Sequence, residues 1–507
     1  MIKTRTFALL VVVGLLAIAE NPVLPGDHPD PSIMRVGNVY WAANTSAEWA
    51  PIYPLFRSTD LKNWQSAGAV FETPPEWAVA NLWAPELTND HGHIRVYYAA
   101  RKRGGPMCVG VATAEAPQGP YTDHGPMVCQ SDGSIDPSFV RDAHGVPYLV
   151  WKEDGNSQNK PTIIYAQQTT EDGLKLMGVP HELIRNDAAW EGKVVEGPDI
   201  IRHAGMFYLF YAGGACCGRK CDYAVGVARA KDLMGPWQKD PANPIVAAND
   251  EWVCPGHGTV VETPKGQDYF MYHAYSRSEF VYVGRESLLD RVDWKPDGWP
   301  EINDGHGPTG KSELSHAYSI GDDFKEARLR PTWEWPIGDH PEVHDGEGVL
   351  TLTPNAAHAM DPLGAILAMS VRALPFTAQV TLKTAGLQSG ELAGIAMIGD
   401  RNNAAGLGVR DGALEVWRRD RGNLQTVATL ALPGSGAIDL RVQSSETVSI
   451  KLDYSADGRN WTELGKPINV SYLPPWDRGL RVGLTCGAAA GASAQFENFE
   501  MKVGKMK

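Results

Sequence analysis

Three short segments set a carboxylate beside Pro or Gly at recurring intervals along the 507-residue chain: Asp27-His28-Pro29-Asp30-Pro31-Ser32, Ile135-Asp136-Pro137-Ser138 and Val195-Glu196-Gly197-Pro198-Asp199. One Asp-Pro-Ser alone is most simply a turn, in which Asp accepts from its own backbone and Pro fixes φ. Three in register with a repeat read differently. Asp30 precedes Tyr40 by 10 residues, Glu86 precedes Tyr97 by 11, and Asp136, Glu196 and His257 precede Tyr148, Tyr208 and Tyr269 by 12 each. Ionisable side chains at equivalent places in a repeat form a ring, and clustered carboxylates repel, so such a ring needs a chemical reason. Glycoside cleavage supplies one. A carboxylic acid protonates the leaving oxygen, a carboxylate acts on the opposite face of the sugar, and a third acid raises the pKa of the proton donor.

The elements that would position these residues are short strands. Aromatic runs recur around Tyr40, Tyr97, Tyr148, Tyr208 and Tyr269, at steps of 57, 51, 60 and 61 residues. A Val/Ala-rich strand such as Val109–Thr113 or Val225–Arg229 follows most of them, and then a turn closing on an aromatic such as Trp64, Tyr121 or Trp237. Several strands per repeat with turn signals between them predict propeller blades, and five repeats predict five blades. Residues 301–345 are rich in Gly, Pro, His and Asp and read as a linker. Beyond Gly348, runs such as Val349–Leu352, Ala378–Leu382 and Val448–Tyr454 alternate apolar with polar residues, which predicts a half-exposed antiparallel sheet. The expected fold class is all-β: a five-bladed β-propeller over 20–318, then a jelly-roll or lectin-like β-sandwich over 319–507.

Residues 1–19 carry Lys3 and Arg5, an apolar run from Phe7 to Ile18 and a small-x-small Ala17-Ile18-Ala19. This reads as a cleavable secretory signal peptide, implying a secreted or periplasmic protein with no membrane association in its mature form. The alternative is an uncleaved anchor. The formal charge of −14 argues against nucleic acid as a partner and fits a neutral substrate. Seven cysteines suit an oxidising compartment, and the odd count leaves one unpaired within the chain or joined to another. Cys216, Cys217 and Cys221 share one Gly-rich loop without a fourth ligand at zinc-site spacing, so a disulfide that pins the loop is expected. The pairing stays open.

Taken together, these motifs resemble glycoside hydrolase family 43, the five-bladed propeller arabinofuranosidases, xylosidases and arabinanases, over roughly residues 21–318. The resemblance implies that Asp30 is the general base, Glu196 the general acid, and Asp136 the residue that orients the acid and tunes its pKa. It implies an inverting reaction, with the Asp30 and Glu196 carboxyls roughly 6.5–9.5 Å apart. Asn81-Leu82-Trp83-Ala84-Pro85-Glu86 looks like the family's Trp-Ala-Pro segment, giving Trp83 as a sugar-stacking candidate, with plain core as the alternative. Pro255-Gly256-His257-Gly258 resembles the family's Gly-His-Gly. Its His helps hold a central calcium or other cation, and the alternative for His257 is a hydrogen-bonded structural role. The chemistry itself requires no cofactor. His28, Arg277 and Arg285 are further substrate-contact candidates, either arginine supplying the family's sugar-binding guanidinium.

The expected substrates are arabinan, arabinoxylan or related oligosaccharides. Exo-acting α-L-arabinofuranosidase is favoured, with β-xylosidase, endo-arabinanase and exo-galactanase as alternatives on the same motifs. A non-catalytic sugar-binding propeller is the rival from another class, but three clustered carboxylates are poorly explained by binding a neutral ligand. The retaining invertase-type relatives need Asn-Asp-Pro and Arg-Asp-Pro motifs, which are absent.

Overall fold

The aromatic runs form the second strand, not the innermost, of five four-stranded antiparallel blades in the computed structural model. The model describes residues 21–311, 319–344, 346–445 and 448–503, so the signal segment read at 1–19 lies outside the described residues. The carboxylate motifs open or lie within the inner strands Ser32–Val36, Ala78–Asp90, Ser134–Arg141, Val195–His203 and Trp252–Glu262. These strands touch one another in cyclic order, the first meeting the fifth, and so surround an axis. The aromatic second strands fill the space between blades: Tyr97, Tyr98, Tyr208, Tyr211 and Tyr272 are almost fully buried. Bulky rings suit this wedge-shaped gap because each removes a large apolar area from water.

Ring closure is made by the chain's own start. Val23 and Leu24 donate to the Ser287 carbonyl in blade five, and the Asn21 amide oxygen accepts from Leu289 N–H at 2.9 Å. The start of the chain is thereby held against the last blade, although Asn21 and Leu289 lie 268 residues apart in sequence.

The inner strands share one irregularity. Pairing with the second strand skips at Ala84-Pro85, Asp136-Pro137 and Gly197-Pro198, and at His257 in blade five. Asp30, Ala84, Asp136, Gly197 and His257 all have left-handed backbone, with φ of 50°, 46°, 54°, 57° and 38°. In blades two to five these residues lie in β-bulges, and Asp30 takes the same backbone just ahead of the inner strand of blade one; four of the five are followed by Pro, which has no N–H to leave unpaired where the ladder is interrupted. Gly197 has a second reason to be glycine, since a Cβ there would lie 2.8 Å from the His257 ring.

The C-terminal domain packs a six-stranded sheet against a nine-stranded one. Its last strand, Ala494–Val503, pairs with its first, Ser319–Asp322, and with Phe376–Lys383. Alternate residues of the nine-stranded sheet, such as Leu440 and Val442 on Ala437–Ser444 and Phe496 on Ala494–Val503, are buried. One apolar cluster runs from blades one and two into this sandwich, including Trp41, Ile52 and Tyr98 on one side and Trp333, Trp335 and Leu367 on the other. Backbone pairing continues across the junction, with Trp335–Pro336 on Trp49–Ala50. No helix among the described residues is long and apolar enough to cross a membrane.

Buried charge crosses the same junction. Arg481 of the sandwich donates to Asp27 at 2.7 Å and to Glu334 at 2.8 Å, and it lies over the Trp49 ring. Removing one partner of a buried pair leaves the other desolvated and uncompensated, at a cost of about 3 kcal/mol or more. Arg481→Met is therefore expected to lower the thermal unfolding midpoint of the whole chain. An unchanged main transition, with only a small early one added, would show that the junction does not support the propeller.

Candidate active site

The bulges aim side chains at one end of the axis in two tiers. Asp30, Asp136 and His257 occupy the left-handed position itself, and Glu196 immediately precedes that of its blade. Ser32, Glu86, Ser138 and Asp199 sit two residues past the left-handed position, one tier deeper. Sequence spacing had put Glu86 in the same ring as the other acids. The structure corrects this: Tyr97 pairs with Glu86 itself, two residues past Ala84, whereas Tyr148, Tyr208 and Tyr269 pair with Val140, Ile201 and Val261, four residues past Asp136, Gly197 and His257, so Tyr97 is not at the position of the other markers. Ser32 donates to Glu86 at 2.8 Å, and Asp199 accepts from Val260 N–H at 2.8 Å. Burial together with the neighbouring Asp199 drives the Glu86 carboxyl well above the carboxylate range, and burial raises Asp199 to about 7.

In the upper tier Asp30 is held by cations. Burial alone would raise its carboxyl, but Arg285 Nη1 at 3.0 Å, with His273 and His257 alongside, outweighs burial and holds it far below the usual range. Thr45 donates to its other oxygen at 2.7 Å, and its backbone N–H donates to His273 Nδ1 at 3.0 Å. Burial and the nearby Arg285 lower His273 to about 4, so the imidazole is neutral. Asp30 is thus a fixed, ionised carboxylate.

Asp136 and Glu196 behave as a pair. Asp136 accepts from Gly197 N–H at 3.0 Å and so holds the backbone next to Glu196. Burial raises Asp136 to about 6; His257, with Nδ1 3.8 Å away, opposes the rise and Glu196 adds to it. Glu196 accepts from Lys152 Nζ at 2.6 Å and from the Tyr223 hydroxyl at 2.8 Å. Burial favours its protonated form, but Lys152 outweighs burial and brings Glu196 below its ordinary value. Lys152 is buried and also reaches Asp154 at 2.9 Å. Of the two, Asp136 is the one that holds a proton more readily, while Lys152 favours ionised Glu196.

These groups open into a cavity of about 410 Å³, bordered also by Trp83, the Cys216-Cys217 loop and, from the sandwich, Trp476 and Asp477. Trp476 is 60% exposed and meets Trp83 edge to face, with ring centroids 6.0 Å apart. Arg285 joins the two domains at this point, donating to Asp30 on one side and to the Asp477 carbonyl at 2.9 Å on the other.

The structure brings Asp30, Asp136, Glu196, Trp83, Arg285 and His257 together around one cavity. It does not bring His28 or Arg277. The His28 ring packs on Phe56 at 5.0 Å and borders a separate cavity between the domains, where burial, Arg372 and Arg481 lower it to about 3. Asp30, two residues on and with left-handed backbone, borders the carboxylate cavity instead. Arg277 is exposed and donates to the Asn249 carbonyl. Lys152, Tyr223, His273 and Trp476 were not found from sequence. Lys152 lies on an aromatic strand that reads as core, whereas Leu473-Pro474-Pro475-Trp476 is a loop signal that could have drawn notice.

Among the described residues no three His, Cys, Asp or Glu side chains converge as metal ligands.

Residues 19–300 match the model of glycosyl hydrolases family 43, and residues 321–502 match the β-xylosidase C-terminal concanavalin A-like domain. A xylan 1,3-β-xylosidase of Vibrio sp. is 26% identical over 90% of this chain and 92% of its own length. A xylosidase/arabinosidase of Humicola insolens is 29% identical over 57% of this chain and 56% of its own. Among solved structures, the GH43 protein BlXynB of Bacillus licheniformis superposes with a TM-score of 0.83 at 24% identity, over 96% of this chain and all of that one. With the family's catalytic model covering more than half of its length and the three carboxylates gathered at one end of a five-bladed propeller, the chain belongs to glycosyl hydrolase family 43.

Proposed function

We propose that this glycoside hydrolase is an exo-acting, inverting β-xylosidase, with terminal α-L-arabinofuranosides as its second substrate class. The observation that carries the exo reading is the Trp476-Asp477 loop, by which the sandwich borders the cleft beside Arg285 and Asp30. A cleft walled at one end suits a chain terminus better than the middle of a polymer. The sequence favoured the arabinofuranoside. The order is reversed here because the Vibrio relative, which matches across both domains, is named a xylosidase, and the family description of the second domain is that of β-xylosidases. The Humicola relative, named for both sugars, keeps the second class in view.

In this reading Asp30, ionised and pinned by Arg285 and Thr45, is the base that takes a proton from the attacking water. Glu196 delivers a proton to the leaving oxygen. Asp136 orients Glu196 through Gly197 N–H and shares its proton with the pair. A sugar filling the cleft removes water from Glu196 and so favours its protonated form, and Asp154 offers Lys152 a second partner.

A proton NMR time course on aryl β-D-xyloside and aryl α-L-arabinofuranoside is expected to show the inverted anomer first, with faster turnover of the xyloside. A retained anomer would overturn the assignment of roles. Asp30→Ala is expected to lose about a thousandfold in kcat on every substrate while the chain stays folded, with a lowered unfolding midpoint because buried Arg285 loses its carboxylate. Glu196→Gln is expected to lose far more on xylobiose than on an aryl glycoside whose leaving group needs no proton, and equal losses would remove Glu196 from the role of acid.

The pH dependence tests Lys152. The active form needs Asp30 ionised and one proton on the Asp136/Glu196 pair, so activity falls as pH rises through the pair's titration. Lys152 favours ionised Glu196 and thereby pulls that limb down. Lys152→Met is expected to move the alkaline limb of kcat/KM upward by about one pH unit or more, and a limb that stays in place would show that Lys152 does not govern the proton.

A further inference from the structure

The loop between strands Met206–Gly213 and Ala224–Ala230 of blade four carries cysteines of two disulfides that act differently. Cys221–Cys254 spans 33 residues and ties the loop to the inner strand of blade five, next to Gly256 and His257. Cys216–Cys217 joins neighbours. A crosslink between adjacent residues closes no loop in the unfolded chain, so the entropic stabilisation of an ordinary disulfide is missing.

Nor does the loop depend on it for its shape. The Ala215 N–H donates to Asp222 at 2.6 Å, the Gly218 N–H to the Tyr275 hydroxyl at 3.2 Å, and Arg219 to the Ser471 carbonyl at 2.9 Å. What the bond changes is the surface. It removes two thiols and joins two side chains into one rigid ring whose disulfide edge carries no strong donor or acceptor. That ring is half-buried and borders the cavity that holds the three carboxylates. An apolar surface in a pocket of charged and polar groups needs an apolar counterpart, and the C–H face of a sugar ring is one.

Its position selects which sugar. The strand that leads into the loop pairs Ala212 with Glu196, and Tyr223 at the loop's end donates to Glu196. The proton donor must meet the glycosidic oxygen, so the unit beyond that oxygen lies on this side. Asp30 and Arg285 belong to the opposite side, where the cleaved unit and the water must be. Trp476 closes over the loop, its carbonyl oxygen 3.2 Å from where a Cβ on Gly218 would stand.

Resting on the glycosidase reading above, we infer that the Cys216–Cys217 ring, with Trp476 beside it, is the platform for the leaving-group sugar. It receives the apolar face of a neutral pyranose such as a xylosyl unit, and thereby determines specificity for oligosaccharides.

The test compares kcat/KM for xylobiose, whose second sugar occupies this platform, with that for β-D-xylopyranosyl fluoride, which has no second sugar. In Cys216→Ala/Cys217→Ala and in Cys216→Ser/Cys217→Ser the xylobiose-to-fluoride ratio is expected to fall about tenfold, mainly through the KM for xylobiose, the size of one lost apolar contact. An unchanged ratio overturns the inference. Should the wild type prefer arabinofuranosides, arabinofuranosyl fluoride and an arabinosylated xylobiose take their places. Should both variants fail to fold, a crystal of Asp30→Ala with xylotriose decides: a sugar on the two sulfurs supports the platform, and a sugar bound elsewhere in the cleft overturns it. Failure of the glycosidase reading is distinguishable, because the wild type would then turn over none of these substrates while the xylotriose complex still reports on the sulfurs.

Discussion

Everything at the active end of this propeller depends on a backbone constraint, the left-handed residue that interrupts or just precedes each inner strand. A regular strand sends successive side chains to opposite faces, so it could not crowd Asp30, Asp136, Glu196 and His257 around one axis. The left-handed residue is turned out of that alternation and is followed by Pro in four blades, where a missing N–H costs nothing. Asp tolerates the left-handed region better than most residues, which lets Asp30 and Asp136 be left-handed residue and acid at once. Where Glu is required, as at Glu196, the strain passes to the following Gly197, and the acid gains a backbone N–H neighbour that Asp136 can hold.

Concentrating acids in a buried space has an electrostatic consequence that this chain meets differently at each site. Asp30 is compensated by Arg285 and remains charged. Glu196 is compensated by Lys152, and Asp136, with less help, tends to hold a proton. Glu86 and Asp199, deeper and without a salt-bridging cation, are pushed further in the same direction. Carboxyl groups within one cleft thus differ in how readily each holds a proton, according to which cation reaches it.

Much of this was legible in the sequence because the propeller is a repeat. The aromatic steps at Tyr40, Tyr97, Tyr148, Tyr208 and Tyr269 mark the blades, and the Asp-Pro and Gly-Pro pairs mark the bulges. Two kinds of error arose from spacing alone. Glu86 was assigned to the wrong tier because Tyr97 lies opposite Glu86 itself, two residues nearer the bulge than the tyrosines of blades three to five, and spacing alone does not show which aromatic of a run is the equivalent one. His28 belongs to the same short motif as Asp30, but with only Pro29 between them the two border different cavities. Lys152 was hidden inside the hydrophobic run Pro147–Glu153, and Trp476 lies about 280 residues from the acid it faces across the cleft. Contacts of that kind are products of tertiary packing, which local periodicity cannot carry.

The reach of the second domain into the cleft bears on how such enzymes diversify. The stretch recognisable as the catalytic family ends at residue 300, yet the cleft is completed by Trp476 and Asp477. A boundary drawn by homology therefore cuts through a functional unit. Recombination at that boundary would deliver a propeller with its carboxylates intact but with Arg285 missing its carbonyl partner and one wall of the cleft replaced. Changes in substrate preference can then arise by altering a single sandwich loop, with the propeller's catalytic acids under no pressure to change. The accessory domain is in this sense an inherited part of the active site, and the two halves must evolve as one.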